Sequence, residues 1–551
     1  MLSRALQVTK LSLEGILILI VTTLCIRITR GIVSRLTKHR VLRSVSGPTR
    51  SSLLAGNLPE LFDANGLSFF ESLTQYGGVA KLHGLLGDVI LAISDPRALT
   101  HILIQESYTY AAIDVSGTMD AQTYAFGPGL LASNGASHKR QRKMLNPVFS
   151  ASHVKRQAPL VHNISKELRE VIAQEVIRAA GCTQEMKVVA DVEVAEWLGR
   201  ASLEMISQAG LGHTFRALQG EGSAYLRAVK EITPAVNVLG PLMILFVMSG
   251  GSSLPPTLLK ALGRATSLFV PPLRKVMDLV DTMYSETRDI WEIRKAERKA
   301  SGGYEENAEL LSVLLEASGE NRVSDDELCA QSRTLVFGGT ETTSTALCRV
   351  LHLLALHPHI QERLRAEIST ITSDEFQYDH VAALPFLDAV IKETLRVYAP
   401  LPFRNRRAIE DSVIPLSDGS SIHVPAGTEL LVDLRGLNVD TRVWGADAHA
   451  WRPERWMEPL PQSVTEAKIP GVYPNSMSFS GGPKACIGFN FTIVEMKTVL
   501  AVLLPTFSFA LPTEHKIEWR FGPIVSPSVK EEKGLNPRMP LRVKILVDMN
   551  A

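Results

Sequence analysis

The chain has 551 residues, of which 45% are hydrophobic and 21% are charged, so it can bury a large core and does not have the composition of a disordered polypeptide. Fifty-eight basic residues stand against 57 acidic residues, and this balance gives no reason to expect a nucleic-acid-binding protein. The five cysteines are scattered and form no C-x-x-C pair, which argues against a disulfide framework or a zinc site.

A candidate membrane segment runs from Leu11 to Ile26, with an apolar centre that begins at Gly15. It is shorter than the about 20 apolar residues of a full span, and Glu14 would be costly near the bilayer centre, so a cleaved secretory signal is the alternative. The segment has no small-residue cleavage site after it. It leads instead into a block of basic residues without an acidic one, Arg27, Arg30, Arg35, Lys38, Arg40, Arg43 and Arg50.

Such a basic block favours the cytosolic side of a membrane. We therefore predict a lumenal N-terminus over residues 1–10, a transmembrane anchor over 11–30 and a basic linker and hinge over 31–50. The remaining residues, 51–551, contain no internal repeat and no Gly/Ser linker, and we predict that they form one cytosolic domain.

Helical periodicity dominates this domain from about Ser137 onward. The clearest helical segments are residues 160–178, 190–210, 271–300, 325–355 and 358–371. Strand patterns are confined to Val89–Ser94, 420–433 and 506–548. Residues 437–480 are rich in Pro, Trp and Gly and are predicted to be irregular. The expected fold class is mainly α with minor β sheets.

The most informative segment is Phe479-Ser-Gly-Gly482-Pro-Lys484-Ala-Cys486-Ile-Gly488, and an apolar helical stretch comes directly after it. Cysteine binds metal as thiolate, and thiolate forms more readily at a helix N-terminus. The glycines permit tight turns through which a large planar cofactor could approach. The alternative is that Cys486 is a small buried hydrophobe, as free cysteines usually are.

Phe479, Gly482, Cys486 and Gly488, with the basic Lys484 two residues before the cysteine, resemble the haem-binding signature of the cytochrome P450 family. The resemblance implies the cytochrome P450 fold, haem b as cofactor and Cys486 as the axial ligand of its iron. Lys484 stands where the family most often has arginine, and lysine offers a point charge to a haem propionate rather than a planar fork.

A second motif lies in a helix that we expect to begin with a capping box at Ser324–Glu327. The helix contains Gly338-Gly-Thr-Glu341-Thr342, although each glycine costs about 1 kcal/mol there relative to alanine. This segment resembles the family's distal helix, which implies that Glu341 and Thr342 deliver protons during dioxygen activation. The alternative is a helix crossing made of small residues, with Glu341 in solvent.

Glu393 and Arg396 are three residues apart and share a helix face. The same spacing recurs in two pairs that we interpret as solvated, Glu175/Arg178 and Glu362/Arg365. What distinguishes Glu393 is the downstream Trp451-Arg-Pro-Glu-Arg455-Trp456, which resembles another family element. The resemblance implies that Glu393, Arg396 and Arg455 form a buried charge network with a structural role.

Cationic residues are expected around the propionates of a haem. His138 and Arg142 are four apart on one predicted helix face, although the family usually has tryptophan at the position of His138. The resemblance aligns Arg406, within one residue, with the family's propionate-binding arginine. The neighbouring basic residues are interpreted as a solvated face and as candidates for docking a reductase, Lys139, Arg140 and Lys143.

The resemblance is strongest to microsomal fungal members. It implies a monooxygenase at the endoplasmic reticulum membrane that uses O2 and electrons from a separate NADPH-cytochrome P450 reductase, with cytochrome b5 as an optional second donor. Segments implied to line the substrate pocket are 110–128, 234–248, 333–338, 400–404 and 521–525. The expected substrate is a lipophilic small molecule from terpenoid secondary metabolism, with fatty acids and xenobiotics as alternatives.

Two other functions stay open on the sequence alone. One is a haem isomerase or dehydratase that needs no reductase, and the other is a haem sensor or electron carrier without catalysis. The Glu341-Thr342 pair argues against both. The sequons at Asn163 and Asn490 are interpreted as coincidental, since the second lies four residues beyond Cys486.

Overall fold

A computed structural model describes residues 22, 26, 29–63, 65–113, 120–181, 188–220, 224–239, 242, 256–300, 324–371, 376–532 and 536–546. The predicted lumenal segment and most of the predicted anchor lie outside these residues. Within the described part, one helix is long and apolar enough to cross a membrane, Phe489–Thr506, and 61% of it is buried inside the protein. That helix comes directly after the Cys486 loop and belongs to the core.

Helices make up most of the described chain. The longer ones are Gly135–Leu145, Ala151–Ala180, Val194–Leu211, Ala224–Val238, Pro256–Ser267, Pro271–Ala300, Asp325–Leu356, Pro358–Ile368, Pro385–Tyr398 and Phe489–Thr506. The shorter ones are Leu58–Leu61, Leu67–Ser72, Pro96–Thr100, Asp120–Phe126, Tyr378–Ala382, Leu434–Asn438, Thr441–Trp444 and Gln462–Glu466. We call Asp325–Leu356 the central helix and Phe489–Thr506 the cysteine helix.

Twelve strands occur in the described residues: β1 Val79–His83, β2 Val89–Ile93, β3 Tyr110–Ala112, β4 Val189–Glu193, β5 Phe403–Ala408, β6 Ser412–Pro415, β7 Ser421–Val424, β8 Glu429–Asp433, β9 Phe507–Ala510, β10 Ile517–Arg520, β11 Ser526–Val529 and β12 Pro540–Ile545. The largest sheet has the order β1-β2-β8-β5-β3, in which only β2 and β8 are parallel. A second sheet has the order β4-β12-β9, and two hairpins pair β6 with β7 and β10 with β11. The mainly helical fold with small sheets agrees with the sequence prediction.

The central helix begins at the predicted capping box. The Ser324 hydroxyl accepts a hydrogen bond from the Glu327 backbone N–H at 3.3 Å, which satisfies one of the free amides at the helix start. The helix passes through the largest hydrophobic cluster, where it packs against Val194–Leu211. Most of its side chains are buried, so the short open stretch around Gly338 is an exception that marks a site.

Residues 29–41 are also helical, and they are docked onto the largest sheet. Lys38 is only 4% exposed; its ammonium pairs with Asp88 at 2.8 Å and donates to the Gly427 carbonyl at 2.9 Å. Leu42 in the following turn is completely buried. The predicted linker, residues 31–50, is therefore attached to the domain through specific contacts.

Two sequence interpretations need correction. Residues 437–480 were predicted to be irregular, yet they include the short helices Thr441–Trp444 and Gln462–Glu466. Arg365 pairs with Glu362 at 2.6 Å, but it is not a solvated residue, because its guanidinium also donates to the Leu504 and Phe507 carbonyls at 2.7 and 2.9 Å. Arg365 thus holds the end of the cysteine helix. The Glu175–Arg178 pair is exposed on its arginine side, as predicted.

Candidate active site

Cys486 lies in the loop that leads into the cysteine helix, and main-chain contacts fix the shape of this loop. Its backbone N–H donates to the Phe479 carbonyl at 2.9 Å. Gly482 has a φ of +72°, and a Cβ there would lie 1.8 Å from the Leu103 carbonyl oxygen, so only glycine fits without rearrangement. In contrast, Gly488 has a φ of −89°, and no atom lies closer than 3.9 Å to its Cβ position.

Two opposing effects act on the pKa of the Cys486 thiol. Burial raises the pKa of the thiol, while the Gly488 backbone N–H and the nearby charges of Arg404 and Arg142 lower it. In the described chain no group of three or more His, Cys, Asp or Glu residues could hold a metal ion. A porphyrin would supply further ligands to an iron bound by Cys486.

Four of the basic residues singled out in the sequence come together beside this loop. Lys484, Arg142 and Arg406 all act electrostatically on His138; burial of the imidazole and these charges lower the pKa of His138 to about 4. Arg142 donates to the Ala485 carbonyl at 2.5 Å and to the Asn146 side chain at 2.8 Å. The Lys484 ammonium donates to the Ser133 carbonyl at 2.6 Å.

This basic cluster has no acidic counterpart among the described residues, since none of the four forms an ion pair with an Asp or Glu there. Burial and the neighbouring Arg406 and Arg404 lower the pKa of Lys484 to about 7. His138 is 3% exposed, and its Nδ1 has no hydrogen-bond partner within the described chain. Buried cations normally have a counter-charge, so the cluster is arranged for an anionic group that is not part of the protein.

Strand β5 determines which arginines face the cluster. Side chains alternate along a strand, so Arg404 and Arg406 share one face while Arg407 lies on the other. Arg407 pairs with Glu429 on the neighbouring strand β8 at 2.5 Å. The structure thus places Arg406, rather than Arg407, near His138, and it adds Arg404, which the sequence analysis named only within the pocket-lining segment 400–404.

The central helix has one open face within its buried length. Gly338 is exposed, and no atom lies within 4 Å of its Cβ position. The residues two positions before and after it, Val336 and Thr340, are buried. Thr342, one turn further on, lies on the same face and donates its hydroxyl to the Gly338 carbonyl at 2.5 Å. This pair borders a space that the protein leaves unfilled.

Glu341 lies on an adjacent face of the helix and is 9% exposed. Burial raises its pKa to about 7, and the charge of Lys230 opposes this rise. The Lys230 side chain crosses Gly199 on the packed helix Val194–Leu211, with its Cε 2.9 Å from the position of a Gly199 Cβ. Glu341 is therefore a buried acid that titrates near neutral pH, not the solvated carboxylate of the alternative interpretation.

The central helix meets the cysteine helix next to this open face. The hydroxyls of Thr343 and Thr492 are 3.5 Å apart, and the Thr492 N–H bonds the Gly488 carbonyl in the first turn of the cysteine helix. The structure therefore brings the start of the cysteine helix, and with it the Cys486 loop, into the same region as Thr342.

Glu393 is the centre of a buried network that supports the loop. Its carboxylate accepts two hydrogen bonds of 2.8 Å from Arg396, one of 3.3 Å from Arg455 and one of 2.9 Å from the Trp456 indole. Arg396 also donates to the Asn438 and Ala448 carbonyls, both at 2.7 Å. The network joins helix Pro385–Tyr398 to residues 438–456.

Asn438 extends the network toward the cysteine loop. Its side-chain oxygen accepts from the Met477 N–H at 2.7 Å, two residues before Phe479. The Ser478 hydroxyl donates to the Leu395 carbonyl at 2.8 Å. Structural support therefore passes from a fully buried ion pair to the residues that position Cys486.

The residues present fit a haem. The Cys486 thiol is a suitable iron ligand. The basic cluster beside it has no acidic partner in the described chain, and it includes the Nδ1 of His138, which has no hydrogen-bond partner there. Two haem propionates would supply the negative charge that this cluster lacks. The fold and this site fit a protein that would hold a haem through a single cysteine.

Comparisons with known proteins agree. The family model described as Cytochrome P450 matches residues 46–532. The chain is 36% identical over 541 residues to cytochrome P450 monooxygenase 91 of Postia placenta, covering 94% of this chain and 96% of the relative. It is 36% identical over 522 residues to ganoderic acid synthetase CYP5150L8 of Ganoderma lucidum, covering 90% and 93%. The chain belongs to the cytochrome P450 family, whose members are monooxygenases that incorporate oxygen.

Proposed function

We propose that this chain is a membrane-bound haem-thiolate monooxygenase that oxidises a lipophilic small molecule. The observation that carries the proposal is the juxtaposition of a lone thiol, Cys486, with a buried basic cluster that has no acidic partner among the described residues. Cys486 binds the iron of haem b, and His138, Arg142, Arg406 and Lys484 hold its propionates. Bound there, the haem supplies dioxygen activation.

Phe479, Gly482 and Gly488 have positioning roles in this proposal. Phe479 accepts the hydrogen bond from the Cys486 backbone, Gly482 permits the turn against Leu103, and the Gly488 N–H stabilises the thiolate. Glu393, Arg396 and Arg455 have a structural role, since none of them faces the open space beside Thr342. Their carboxylate and guanidinium groups are satisfied within the network.

Thr342 and Glu341 move protons to the site. The Thr342 hydroxyl donates its hydrogen to the Gly338 carbonyl, which leaves the lone pairs of its oxygen free to accept a hydrogen bond. Rotation of the hydroxyl then lets it donate its own hydrogen toward the open face. Glu341, with its pKa raised to about 7, can bind and release a proton near neutral pH. The two residues would relay protons from solvent to the site, and Glu341 would be reprotonated from solvent after each transfer.

The substrate class rests on the relatives and on the composition of the lining segments. A relative of 36% identity is a ganoderic acid synthetase, which supports a terpenoid substrate in fungal secondary metabolism. Two of the predicted lining segments contact each other, since the Val525 N–H donates to the Pro400 carbonyl at 2.8 Å. The predicted lining residues 114–119, 240–241 and 243–248 lie outside the described residues.

Electrons come from NADPH through a separate reductase, with cytochrome b5 as an optional donor. Lys139 and Lys143 are exposed next to the basic cluster and are candidates for docking the reductase's acidic surface. Arg140 is a poorer candidate, because both of its bonds to the Glu327 carboxylate are short, at 2.6 and 2.8 Å. The anchor over 11–30 would hold the domain on the cytosolic face of the endoplasmic reticulum.

The proposal is tested by replacing the thiol in the full-length protein. In Cys486→Ala the reduced CO complex should lose the red-shifted Soret band that a thiolate ligand produces. Cys348→Ala is the matched control, because Cys348 is a 2% exposed thiol on the central helix whose pKa is raised by burial. A spectrum of Cys486→Ala that equals the wild-type spectrum would remove Cys486 as the ligand.

A further inference from the structure

Arg333 is a buried cation of the central helix that the proposed proton and haem chemistry does not use. It is 2% exposed, and its guanidinium carbon lies 3.5 Å from the ring centroid of Tyr284 on helix Pro271–Ala300. In the part of the chain that the structure describes, no Asp or Glu is among the groups that act electrostatically on it. Burying a charge without an opposite charge is costly, so stability alone does not explain an arginine at this position.

Arg333 fixes the last residue of helix Asp120–Phe126. The Arg333 Nε donates to the Phe126 carbonyl at 3.1 Å. The Phe126 ring packs on the ring of Phe337, with the two centroids 4.5 Å apart, and Phe126 is 7% exposed. Because Phe337 lies one turn after Arg333 on the same face of the central helix, this helix holds Phe126 at two points, the carbonyl and the ring.

Gly129 lets the chain after Phe126 lie directly on the central helix. A Cβ at Gly129 would be 2.6 Å from the Thr334 Oγ1 and 2.7 Å from the Ala330 carbonyl oxygen. That carbonyl belongs to the helix backbone and cannot rotate away. A larger residue at Gly129 therefore fits only if this part of the chain moves off the helix.

The contacts of residues 126–130 stop where the open face of the central helix begins. These residues cover Thr334 and Gln331, and the Gln331 side-chain oxygen accepts a hydrogen bond from the Leu130 N–H at 3.0 Å. Gly338 lies one turn after Thr334 on the same helix face, and its Cβ position has no atom within 4 Å. Residues 126–130 therefore close one end of the open space.

We propose that Arg333 is a positioning residue that holds Phe126 against Phe337, and that this aromatic pair limits how far a substrate extends along the central helix. The inference rests on the proposed function and adds a determinant of substrate length to it. A ligand in front of Thr342 fills the space as far as the two rings while Arg333 holds the Phe126 carbonyl. Arg333 acts through Phe126 and does not touch the substrate.

The test uses the full-length holoprotein and a series of 1-alkylimidazoles from methyl to dodecyl, which share one iron-binding nitrogen and differ in chain length. The Soret shift on titration gives the dissociation constant of each. In the wild type the affinity should rise about fourfold with each buried methylene, and it should stop rising at the chain length that reaches the two rings. Phe126→Ala and Phe337→Ala should each move this limit to longer chains.

Arg333→Met tests the positioning role, because methionine fills space but cannot donate to the Phe126 carbonyl. The length limit should move to longer chains, and the Leu130 amide should exchange its hydrogen faster. Arg333→Lys keeps a donor and should restore part of the limit. Arg349→Met is the matched control, since Arg349 is a second buried arginine on this helix and stacks on Trp519 at 3.3 Å. It should keep the wild-type limit.

Gly129→Ala approaches the same contact from the opposite side and should move the limit as Arg333→Met does; with Phe126→Ala it decides the question if Arg333→Met does not fold. The proposal is overturned if the wild type shows no length limit, if these variants keep the wild-type limit, or if Arg349→Met moves the limit equally. Each of these results leaves the proposed function intact, which fails only if the wild type lacks the thiolate CO spectrum.

Discussion

Glu393 and Arg396 form a two-pronged ion pair, with both hydrogen bonds at 2.8 Å and neither side chain exposed at all. Removing Arg396 leaves the buried Glu393 carboxylate with Arg455, at 3.3 Å, as its remaining cationic partner and takes away its two shortest hydrogen bonds. We predict that Arg396→Met lowers the free energy of unfolding by about 3–5 kcal/mol, or prevents assembly of the haem domain. Denaturant unfolding followed by circular dichroism, together with haem content, measures the effect.

The exposed pair Glu175–Arg178 provides the control, because it has the same spacing on a helix and its arginine is 74% exposed. Arg178→Met should change the free energy of unfolding by less than about 1 kcal/mol. Equal losses in the two variants would show that burial of the Glu393 network contributes nothing specific.

Thr342 and Thr343 are adjacent on the central helix but face different surroundings. Thr342 faces the open space, whereas Thr343 is completely buried against Thr492. We predict that Thr342→Ala diverts electrons from product to hydrogen peroxide when the enzyme is supplied with NADPH and reductase, while Thr342→Ser remains coupled. Peroxide released per NADPH consumed is the measurement, and an equal increase in Thr343→Ala would argue against a specific role for Thr342.

Burial raises the pKa of Glu341 to about 7, and this has a defined effect on stability. In the unfolded chain the carboxyl ionises near its ordinary pKa of about 4.5, so the folded state holds an extra proton between about pH 4.5 and 7. Stability therefore falls as pH rises through this window, by up to about 1.4 kcal/mol per pH unit, and changes no further above it.

Glu341→Gln cannot ionise and should flatten this pH dependence in denaturant unfolding between about pH 5 and 7. The charge of Lys230 lowers the Glu341 pKa, so Lys230→Met should raise this pKa further. The loss of stability with rising pH should then extend to a higher pH than in the wild type. Identical slopes in the wild type and Glu341→Gln would contradict a shifted pKa at this residue.

The docked helix at 29–41 predicts where an N-terminal truncation becomes harmful. A chain beginning at residue 29 should leave the membrane fraction and keep its thermal stability, because Lys38 and Leu42 remain in place. A chain beginning at residue 46 loses the Lys38–Asp88 ion pair and the buried Leu42, and its melting temperature should fall. Equal melting temperatures would mean that these contacts do not stabilise the domain.

Sequence reasoning succeeded where a residue's environment is set by its near neighbours. The cap at Ser324 and the helix at 271–300 follow from local periodicity and capping, and the structure confirms both. The cysteine motif likewise needed only ten consecutive residues to indicate the family. In these cases the determining interactions lie within a few positions of one another.

Sequence reasoning was wrong where contacts with residues far away in the chain determine the environment of a side chain. Arg365 has the spacing of a surface pair, but the carbonyls of Leu504 and Phe507, about 140 residues away, bury it. Arg404 was not assigned to the basic cluster, because the sequence of β5 has no apolar alternation to show its faces; the register of β5 comes from its pairing with β8. The short helices Thr441–Trp444 and Gln462–Glu466 are joined by the Ser463 hydroxyl, which donates to the Val443 carbonyl at 2.7 Å, and periodicity does not reveal such a contact.

The order β4-β12-β9 affects how the protein can be made. β12 is the middle strand, pairing Leu541 with Val192 on one side and Val543 with Phe509 on the other, so β4 and β9 have no common partner until the last residues are synthesised. At roughly 5–20 residues per second the ribosome needs on the order of a minute for a chain of this length. β4 is synthesised about 350 residues before β12, and β9 only about 30 residues before it. The edge of β4 therefore stays open to aggregation for most of that time, and chaperones that shield nascent chains should determine how much protein a host produces.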